Sequence, residues 1–220
     1  MIDSRLVQVI INSLGETLYM VGVSCALAVI FGLPIGIILV VTEKQSILEN
    51  RGINQTFQAI VNIGRSVPFV ILMVAIMPFT RFLAGTSIGT TAAIVPLTLA
   101  AIPFVARMVE TSLREVDPGV VEAAQAIGAS PWDIIAKVLI PEAKPSLILG
   151  ITITAINLVG YSTMAGAIGG GGLGDLAVRY GYQRFRGDVM LATVIILVLL
   201  VQGIQMVGGT LAKKVDHKKG

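Results

Sequence analysis

Five long apolar segments, separated by polar stretches, determine what this chain can fold into. They run over Thr17 to Val41, Phe57 to Phe79, Ile88 to Met108, Leu147 to Ile168 and Val189 to Val207. A helix needs about 20 residues to cross the ~30 Å hydrocarbon core of a bilayer. None of the segments has the two-residue alternation of a membrane β-strand, and an open sheet leaves backbone groups unsatisfied in lipid. The pattern predicts an all-α integral membrane protein with five transmembrane helices.

The composition agrees with a membrane protein. Hydrophobic residues make up 55% of the chain and charged residues only 13%, whereas soluble domains have about 25% charged residues. A length of 220 residues predicts one membrane domain over residues 1–220. The basic residues lie at the ends of the apolar segments, so they indicate topology, and we find no nucleic-acid signature.

Lysine and arginine predict the orientation of the chain in the membrane. They are more frequent in the segments 43–55 and 109–146 and in the tail, which contains Lys213, Lys214, Lys218 and Lys219. Arg5, Arg81, Arg179, Arg184 and Arg186 lie on the opposite side. The positive-inside rule therefore predicts an outside N-terminus and a cytoplasmic tail and 109–146 segment.

Several local signals predict how the spans begin, bend and pack. Ser13-Leu14-Gly15-Glu16 has the form of a capping box and predicts the start of the first helix. Gly32 and Gly36 favour close packing of two helices. Four prolines inside the apolar runs are expected to kink their helices, namely Pro34, Pro68, Pro96 and Pro103.

The polar segment between the third and fourth spans predicts two short capped helices. Asp117 and Pro118 supply an N-cap and a proline at the first helical position, so a helix should begin there and run to Ala126. Gly128 should end it, at a position that is expected to need a positive φ. The sequence Ser130-Pro131-Trp132-Asp133 again supplies an N-cap followed by a proline at the first helical position. The second helix is expected to continue to Leu139 and to end at Pro141.

The surface of this helix pair leaves two interpretations open. The first helix is predicted to be alanine-rich on its exposed side, which suits close docking, and the second to present an apolar face of Trp132, Ile134, Ile135 and Val138. The pair could dock a partner or lie on the membrane surface, although it lacks the strongly basic face that membrane-surface helices often have. Glu122 could pair with a basic residue of a partner or cap a local amide.

The same segment resembles a known motif. Glu122-Ala123-Ala124, three residues, Gly128, nine residues and the ending Val138-Leu139-Ile140-Pro141 are similar to the cytoplasmic "EAA" loop of bacterial ABC importer permeases, whose usual ending is Ile-x-Leu-Pro. The resemblance implies that the loop is a coupling helix seated in a groove of a cytoplasmic ATPase subunit. The residues that it assigns to this coupling are Glu122, Ala123, Ala124, Gly128, Ser130, Trp132 and Pro141.

Other stretches resemble the permease subunits of methionine ABC importers. They are residues 65–69, 85–89, 93–97, 103–110 and 158–166. The resemblance implies a bacterial inner-membrane complex of two copies of the chain, two ATPase subunits and an extracytoplasmic methionine-binding protein. Independently, five spans enclose no obvious pathway alone, which favours a C2 dimer with the pathway on its axis.

Three residues are candidates for the translocation path. Arg65 lies about nine residues into the second span, where an unpaired cation is costly. It could meet a substrate carboxylate, although bonding to helix-end carbonyls or to Glu and Ser neighbours is favoured. Tyr161 and Met164 share one face of the fourth span beside small residues. They could line a path for an apolar side chain or simply pack.

No catalytic, cofactor or metal site is predicted. The run from Gly169 to Gly174 fits G-x-G-x-x-G but lacks a βαβ context, so we expect a flexible or tight turn on the outer face. No P-loop occurs, so ATP hydrolysis would belong to a partner. His217 alone in a basic tail does not suggest zinc. The alternatives are a permease for another amino acid, or a scaffold or channel subunit that recruits a non-ATPase partner.

Overall fold

The computed structural model describes residues 4 to 216, and this part of the chain is helical with short connections. His217, Lys218 and Lys219, which entered the predictions on metals and orientation, lie outside it. The helices are α1 (Ser4–Val41), α2 (Arg51–Ser66), α3 (Phe69–Ala75), α4 (Met77–Ala84), α5 (Thr90–Arg114), α6 (Pro118–Ala126), α7 (Pro131–Ile134), α8 (Ile140–Ala165), α9 (Gly172–Leu176) and α10 (Gly187–Val215). Three π-helical turns, Ile135–Leu139, Gly166–Gly170 and Ala177–Tyr182, connect α7 to α8 and flank α9.

The all-α membrane fold is confirmed. Among residues 4 to 216, four helices are long and apolar enough to cross a bilayer, and a fifth span results if the bent pair α2 and α3 counts as one. The four are α1, α5, the segment Pro131–Gly170 that contains α8, and α10. The α1 and α5 helices pack closely at the centre of the bundle, where Met20, Leu97 and Val105 are fully buried.

The second predicted span is broken at Pro68, one of the prolines where a kink was expected. The chain breaks at Val67 and Pro68, and α2 and α3 meet at 98°. Pro68 has no N–H to continue the helix, and its ring moves the preceding residue out of the helical region. Val67 accordingly has φ −85° and ψ 121°. The other three prolines, Pro34, Pro96 and Pro103, lie inside helices that continue past them.

The start of the first helix was predicted wrongly. The α1 helix already includes Ser4, so Ser13 and Glu16 lie within it and form no capping box. Tertiary contacts explain the extension, because Leu6 is buried against Leu173 and Leu176. Glu16 instead caps a distant segment, since its Oε2 accepts a 2.6 Å hydrogen bond from the N–H of Gly172.

The packing role predicted for Gly32 and Gly36 is confirmed. A Cβ added at Gly36 would lie 2.5 Å from the Cβ of Val109, and one at Gly32 would lie 2.8 Å from the Cβ of Val105. Both distances are too short for non-bonded carbon atoms, which prefer about 3.5 to 4.0 Å. These glycines therefore allow the close approach of α1 to α5.

The glycine run forms a tight turn. Gly169, Gly171 and Gly172 have φ values of 95°, 80° and 76°, which a residue with a Cβ enters at a cost. The turn is held against α1, because the Leu173 N–H donates to Thr17 Oγ1 at 2.9 Å. Gly170, Gly172 and Gly174 are buried, so the run is part of the packed bundle.

Candidate docking surface and substrate pathway

The first helix of the 109–146 segment is capped as predicted. Asp117 Oδ1 accepts a 2.8 Å hydrogen bond from the N–H of Gly119, and Pro118 occupies the first turn. The helix ends at Ala126, and Gly128 follows with φ 81°. The N–H of Ala129 donates to the carbonyl of Ala124 at 3.0 Å, which closes the turn. The predicted need for a positive φ at Gly128 is confirmed.

The second cap is also confirmed. Ser130 Oγ accepts a 3.2 Å hydrogen bond from the N–H of Asp133 and donates one of 2.5 Å to Asp133 Oδ2. Lys137 extends this cluster through a 2.6 Å ion pair with Asp133. The beginning of α7 is therefore held by its own side chains.

The predicted closure of the second helix at Pro141 was wrong. The helix continues from Pro131 through the π-helical turn Ile135–Leu139 to the end of α8 at Ala165, and the backbone leaves the helical conformation only at Ile168 and Gly169. Pro141 lies in the first turn of α8, where the π-helical turn has already changed the hydrogen-bond pattern and the missing N–H is tolerated. The docking segment and the fourth span are consequently one helical rod.

The outer surface of α6 and α7 is apolar and open. Ile127 is 86% exposed and Trp132 is 77% exposed, and Val120 is 41% exposed beside them. Glu122 and Ala123 are exposed on α6. We call these five residues the docking surface. Such large apolar side chains in contact with solvent are typical of an interaction site.

Two details of this surface differ from the prediction. Ile134 and Ile135 are buried and face the bundle, so they share no face with Trp132. Ala124 is buried, whereas Ala123 and Ala126 are exposed. The inward residues attach the helix pair to the bundle and leave the outward ones for contact.

Glu122 does not cap a local amide. Its side chain forms no hydrogen bond or ion pair with any residue from 4 to 216. The pairing of Glu122 with a basic residue of a partner stays a prediction.

A polar network around the buried Glu110, near the end of α5, was not predicted. Glu110 has no solvent exposure, and its carboxylate contacts Arg107 Nη1 at 2.5 Å and Arg114 Nη2 at 2.7 Å. Gln58 Nε2 donates to Glu110 Oε1 at 2.8 Å, and Arg107 Nη2 donates to Asn62 Oδ1 at 2.7 Å. The (i, i+3) and (i, i+4) spacing of the two arginines from Glu110 was a signal for the pairing within α5. Nothing in the sequence signalled the contacts with α2.

Two of the three pathway candidates meet in one cavity. Arg65 lies in the last turn of α2 at the 98° break, and Tyr161 reaches the same cavity from α8. The cavity has a volume of about 140 Å³, and Val67, Phe69 and Phe104 also line it. The ring of Tyr161 stacks on that of Phe69 with a centroid distance of 4.7 Å. An aromatic wall with a single cation is suited to a small zwitterion that has an apolar side chain.

Arg65 does not have the neighbours that the sequence favoured. It is exposed and forms no hydrogen bond or ion pair with another residue of the described part of the chain. Met164 is 46% exposed and lies about one turn beyond Tyr161 on α8, outside this cavity. Among residues 4 to 216, no group of three or more His, Cys, Asp and Glu side chains could hold a metal ion.

Comparisons with known proteins agree in family. The profile of the binding-protein-dependent transport system inner membrane component family matches residues 32–218. The chain is 55% identical over 203 residues to the probable D-methionine transport system permease protein MetI of Vibrio cholerae. The aligned region covers 92% of this chain and 90% of that protein. It is 45% identical over 207 residues to the methionine import system permease protein MetP of Bacillus subtilis, and the aligned region covers 94% of this chain and 93% of that protein.

Solved structures show the same fold. A chain of the MetNI methionine ABC transporter in an inward-facing conformation superposes with a TM-score of 0.96 at 46% identity, covering 98% of this chain and 100% of that one. A chain of an amino acid ABC transporter with histidines shares only the fold, with a TM-score of 0.79 at 18% identity. Together with the family profile, these matches show that this chain belongs to the inner membrane components of binding-protein-dependent transport systems.

Proposed function

We propose that this chain is the permease subunit of an ATP-driven methionine importer in a bacterial inner membrane. It crosses the membrane several times, and ATP is hydrolysed by a separate subunit. The family and the high identity to methionine permeases over more than nine-tenths of the chain support this assignment. The whole chain, residues 1–220, would form one transmembrane domain.

The single observation that carries the mechanism is the helical rod from Pro131 to Ala165. One end of the rod carries Trp132 on the docking surface, and Tyr161 beside the cavity lies near its other end. A helix is stiff along its axis, so a displacement of the docking surface by an ATPase subunit would move the cavity wall directly. We infer that α6 and α7 are the coupling element and that Glu122, Ala123, Ala124, Gly128, Ser130 and Trp132 shape or contact it. Pro141 would act in a different way from the one expected, as part of the rod that transmits the motion.

The proposed complex contains two copies of this chain, two ATPase subunits and an extracytoplasmic methionine-binding protein. The docking surface would face the cytoplasm, where ATP is available. The N-terminus would lie outside and the C-terminus inside, in agreement with the basic residues at the ends of the spans. Two cavities, one from each copy, would face each other across the two-fold axis.

Alternating access follows from this arrangement. Closure of the two ATPase subunits would push the docking surfaces together and rotate the two membrane halves, which opens the axial cavity outward to the binding protein. Release after hydrolysis would open it inward. Arg65 would meet the substrate carboxylate, and Tyr161 and Met164 would line the path of the apolar side chain. Weak, exposed contacts of this kind let the substrate leave again.

Uptake by the reconstituted complex tests the proposal. Proteoliposomes that contain this chain, its ATPase and the binding protein should accumulate labelled methionine when ATP is enclosed. Other amino acids, added unlabelled, should not compete with this uptake. Vesicles with a hydrolysis-deficient ATPase are the control. Equal uptake of an unrelated amino acid would refute the substrate assignment, and failure of any ATPase subunit to co-purify would refute the permease assignment.

A further inference from the structure

An open groove runs along the surface of the bundle between α8 and α10, away from both the docking surface and the Arg65 cavity. Its volume is about 660 Å³. The lining is apolar except for one hydroxyl, that of Thr152, which donates to the carbonyl of Ile148 at 2.7 Å. Leu199 and Val207 on its rim are 65% and 59% exposed. The groove therefore offers apolar surface and no polar group that needs a partner.

The length of the groove is close to that of a lipid acyl chain in one leaflet. The two helices touch where a Cβ on Gly208 would lie 2.0 Å from Thr152 Oγ1, whereas a Cβ on Gly203 would have no atom within 4 Å. From Leu199 to Leu211 the groove extends about 18 Å at 1.5 Å per residue. This length is close to the acyl layer of one leaflet, which is about half of the ~30 Å core.

An open groove of this length accommodates a narrow, flexible acyl chain, and the charge beyond its end distinguishes a lipid headgroup from an apolar helix of a second copy.

Two lysines continue the groove beyond one of its ends. Lys144 precedes Ile148 by one turn of α8, and Lys214 follows Leu211 by one turn of α10, so each lies on the groove side of its helix. The two ends are adjacent, because Pro145 and Val215 line the same small cavity. Both lysines are exposed, and neither forms an ion pair with any residue from 4 to 216.

We propose that the groove between α8 and α10 binds an anionic phospholipid, with one acyl chain in the groove and the phosphate between Lys144 and Lys214. Burial of the acyl chain covers the apolar lining, and the lysines select negative charge at the membrane surface. Three carboxylates, those of Glu115, Glu142 and Asp216, line the small cavity with Pro145 and Val215. Glu142 lies about 200° around α8 from Lys144, so this acidic cavity faces away from the groove. A lipid held at the base of the rod would tie α10 to the helix that carries the docking surface.

Native mass spectrometry of the full chain purified in detergent tests the proposal. The chain is titrated with dioleoyl phosphatidylglycerol or with dioleoyl phosphatidylethanolamine, which have the same acyl chains. We expect tighter binding of the anionic lipid. Lys144→Gln and Lys214→Gln should each weaken it about fivefold, and the double variant roughly thirtyfold, since each lysine near an anionic surface contributes a factor of this size. Lys44→Gln, an exposed lysine away from the groove, is the matched control and should bind as the parent does.

A second variant tests the groove itself. Gly203→Phe adds a Cβ that has no atom within 4 Å and a ring that occupies the groove, so it should reduce binding of both lipids while the protein still folds. Equal binding of the two lipids, equal losses in Lys44→Gln and Lys214→Gln, or unchanged binding by Gly203→Phe would each overturn the proposal. A disulfide between two copies carrying Ile151→Cys, absent from the parent with its Cys25, would show that a second copy covers the groove and would overturn it as well.

Discussion

At the scale of single residues, Gly128 and Trp132 have different physical roles in the same short segment. Gly128 provides a backbone conformation, with φ 81° and no atom within 4 Å of an added Cβ. Trp132 provides exposed apolar area next to that turn. A substitution at the first therefore tests geometry, and one at the second tests contact.

Gly128→Val should weaken coupling without preventing membrane insertion. A side chain with a Cβ enters the left-handed region at a cost of about 1 to 2 kcal/mol, and a β-branched one is restricted further. We expect a shifted α6, weaker binding of the ATPase subunit and ATP hydrolysis that no longer drives uptake. Gly22→Val is the control, because Gly22 lies in α1 with free space and no positive φ. Uptake by Gly128→Val at the parent rate would show that the turn is not needed.

Trp132→Ala should weaken binding of the ATPase subunit by about thirtyfold or more, because a central aromatic residue commonly contributes at least 2 kcal/mol to an interface. The dissociation constant measured in detergent checks this. Tyr182→Ala is a matched control, since Tyr182 is 71% exposed but lies far from the docking surface in sequence and outside α6 and α7. An unchanged dissociation constant for Trp132→Ala would mean that the docking surface is elsewhere.

At the scale of elements, the network around Glu110 connects the broken span to the helix that leads into the docking segment. Gln58 and Asn62 belong to α2, whereas Arg107, Glu110 and Arg114 belong to α5. Arg114 also reaches Glu43 at 3.1 Å, just after α1. These contacts join α2, α5 and the end of α1 through polar and charged side chains.

Glu110→Gln should destabilise the folded protein by about 3 to 5 kcal/mol, because it leaves two arginines close together without their buried counter-ion. Thermal unfolding of the purified chain in detergent measures this as a large fall in Tm. Glu49→Gln removes a surface pair with Arg51 whose side chains are 41% and 69% exposed, and it should change stability by less than about 1 kcal/mol. Similar Tm values for both variants would contradict the role given to Glu110.

At the scale of the whole molecule, the cavity beside the break depends on α2, α3, α5 and α8 together, so its residues should affect transport more than assembly. Arg65→Gln should lower the apparent affinity for methionine in uptake by about tenfold or more, which corresponds to one charge-assisted hydrogen bond. Arg51→Gln, at the exposed start of the same helix, is the control. If Arg65→Gln instead prevents assembly of the complex, Arg65 has a structural role and the pathway proposal fails for it.

Tyr161→Ala and Met164→Ala test the apolar part of the path. Loss of the stacked ring should remove one wall of the cavity, so Tyr161→Ala should change the rate or selectivity of uptake while the complex still assembles. Met164→Ala should have a smaller effect in the conformation described, because Met164 is outside the cavity and would contact substrate only as it passes. Unaltered kinetics in both variants would remove these residues from the path.

The local features of the docking segment were predictable from sequence because each depends on neighbouring residues. The caps at Asp117 and Ser130 and the positive φ at Gly128 follow from side-chain and backbone chemistry within four positions. Pro141 was misjudged for the opposite reason, since its tolerance depends on a π-helical turn and on inward packing of Ile134 and Ile135. A capping box at Ser13 was likewise overridden by the burial of Leu6 against α9.

The sequence by itself determined that the chain is an all-α membrane protein, because hydropathy acts along the chain and needs no knowledge of contacts. It also determined the family, through motifs of fixed spacing. Only the tertiary structure decided the network of Glu110 with Gln58, the cap that Glu16 provides for Gly172, the meeting of Arg65 with Tyr161 and the groove between α8 and α10. These features join residues that are up to 156 positions apart, and the energy of each contact exists only once the helices have packed.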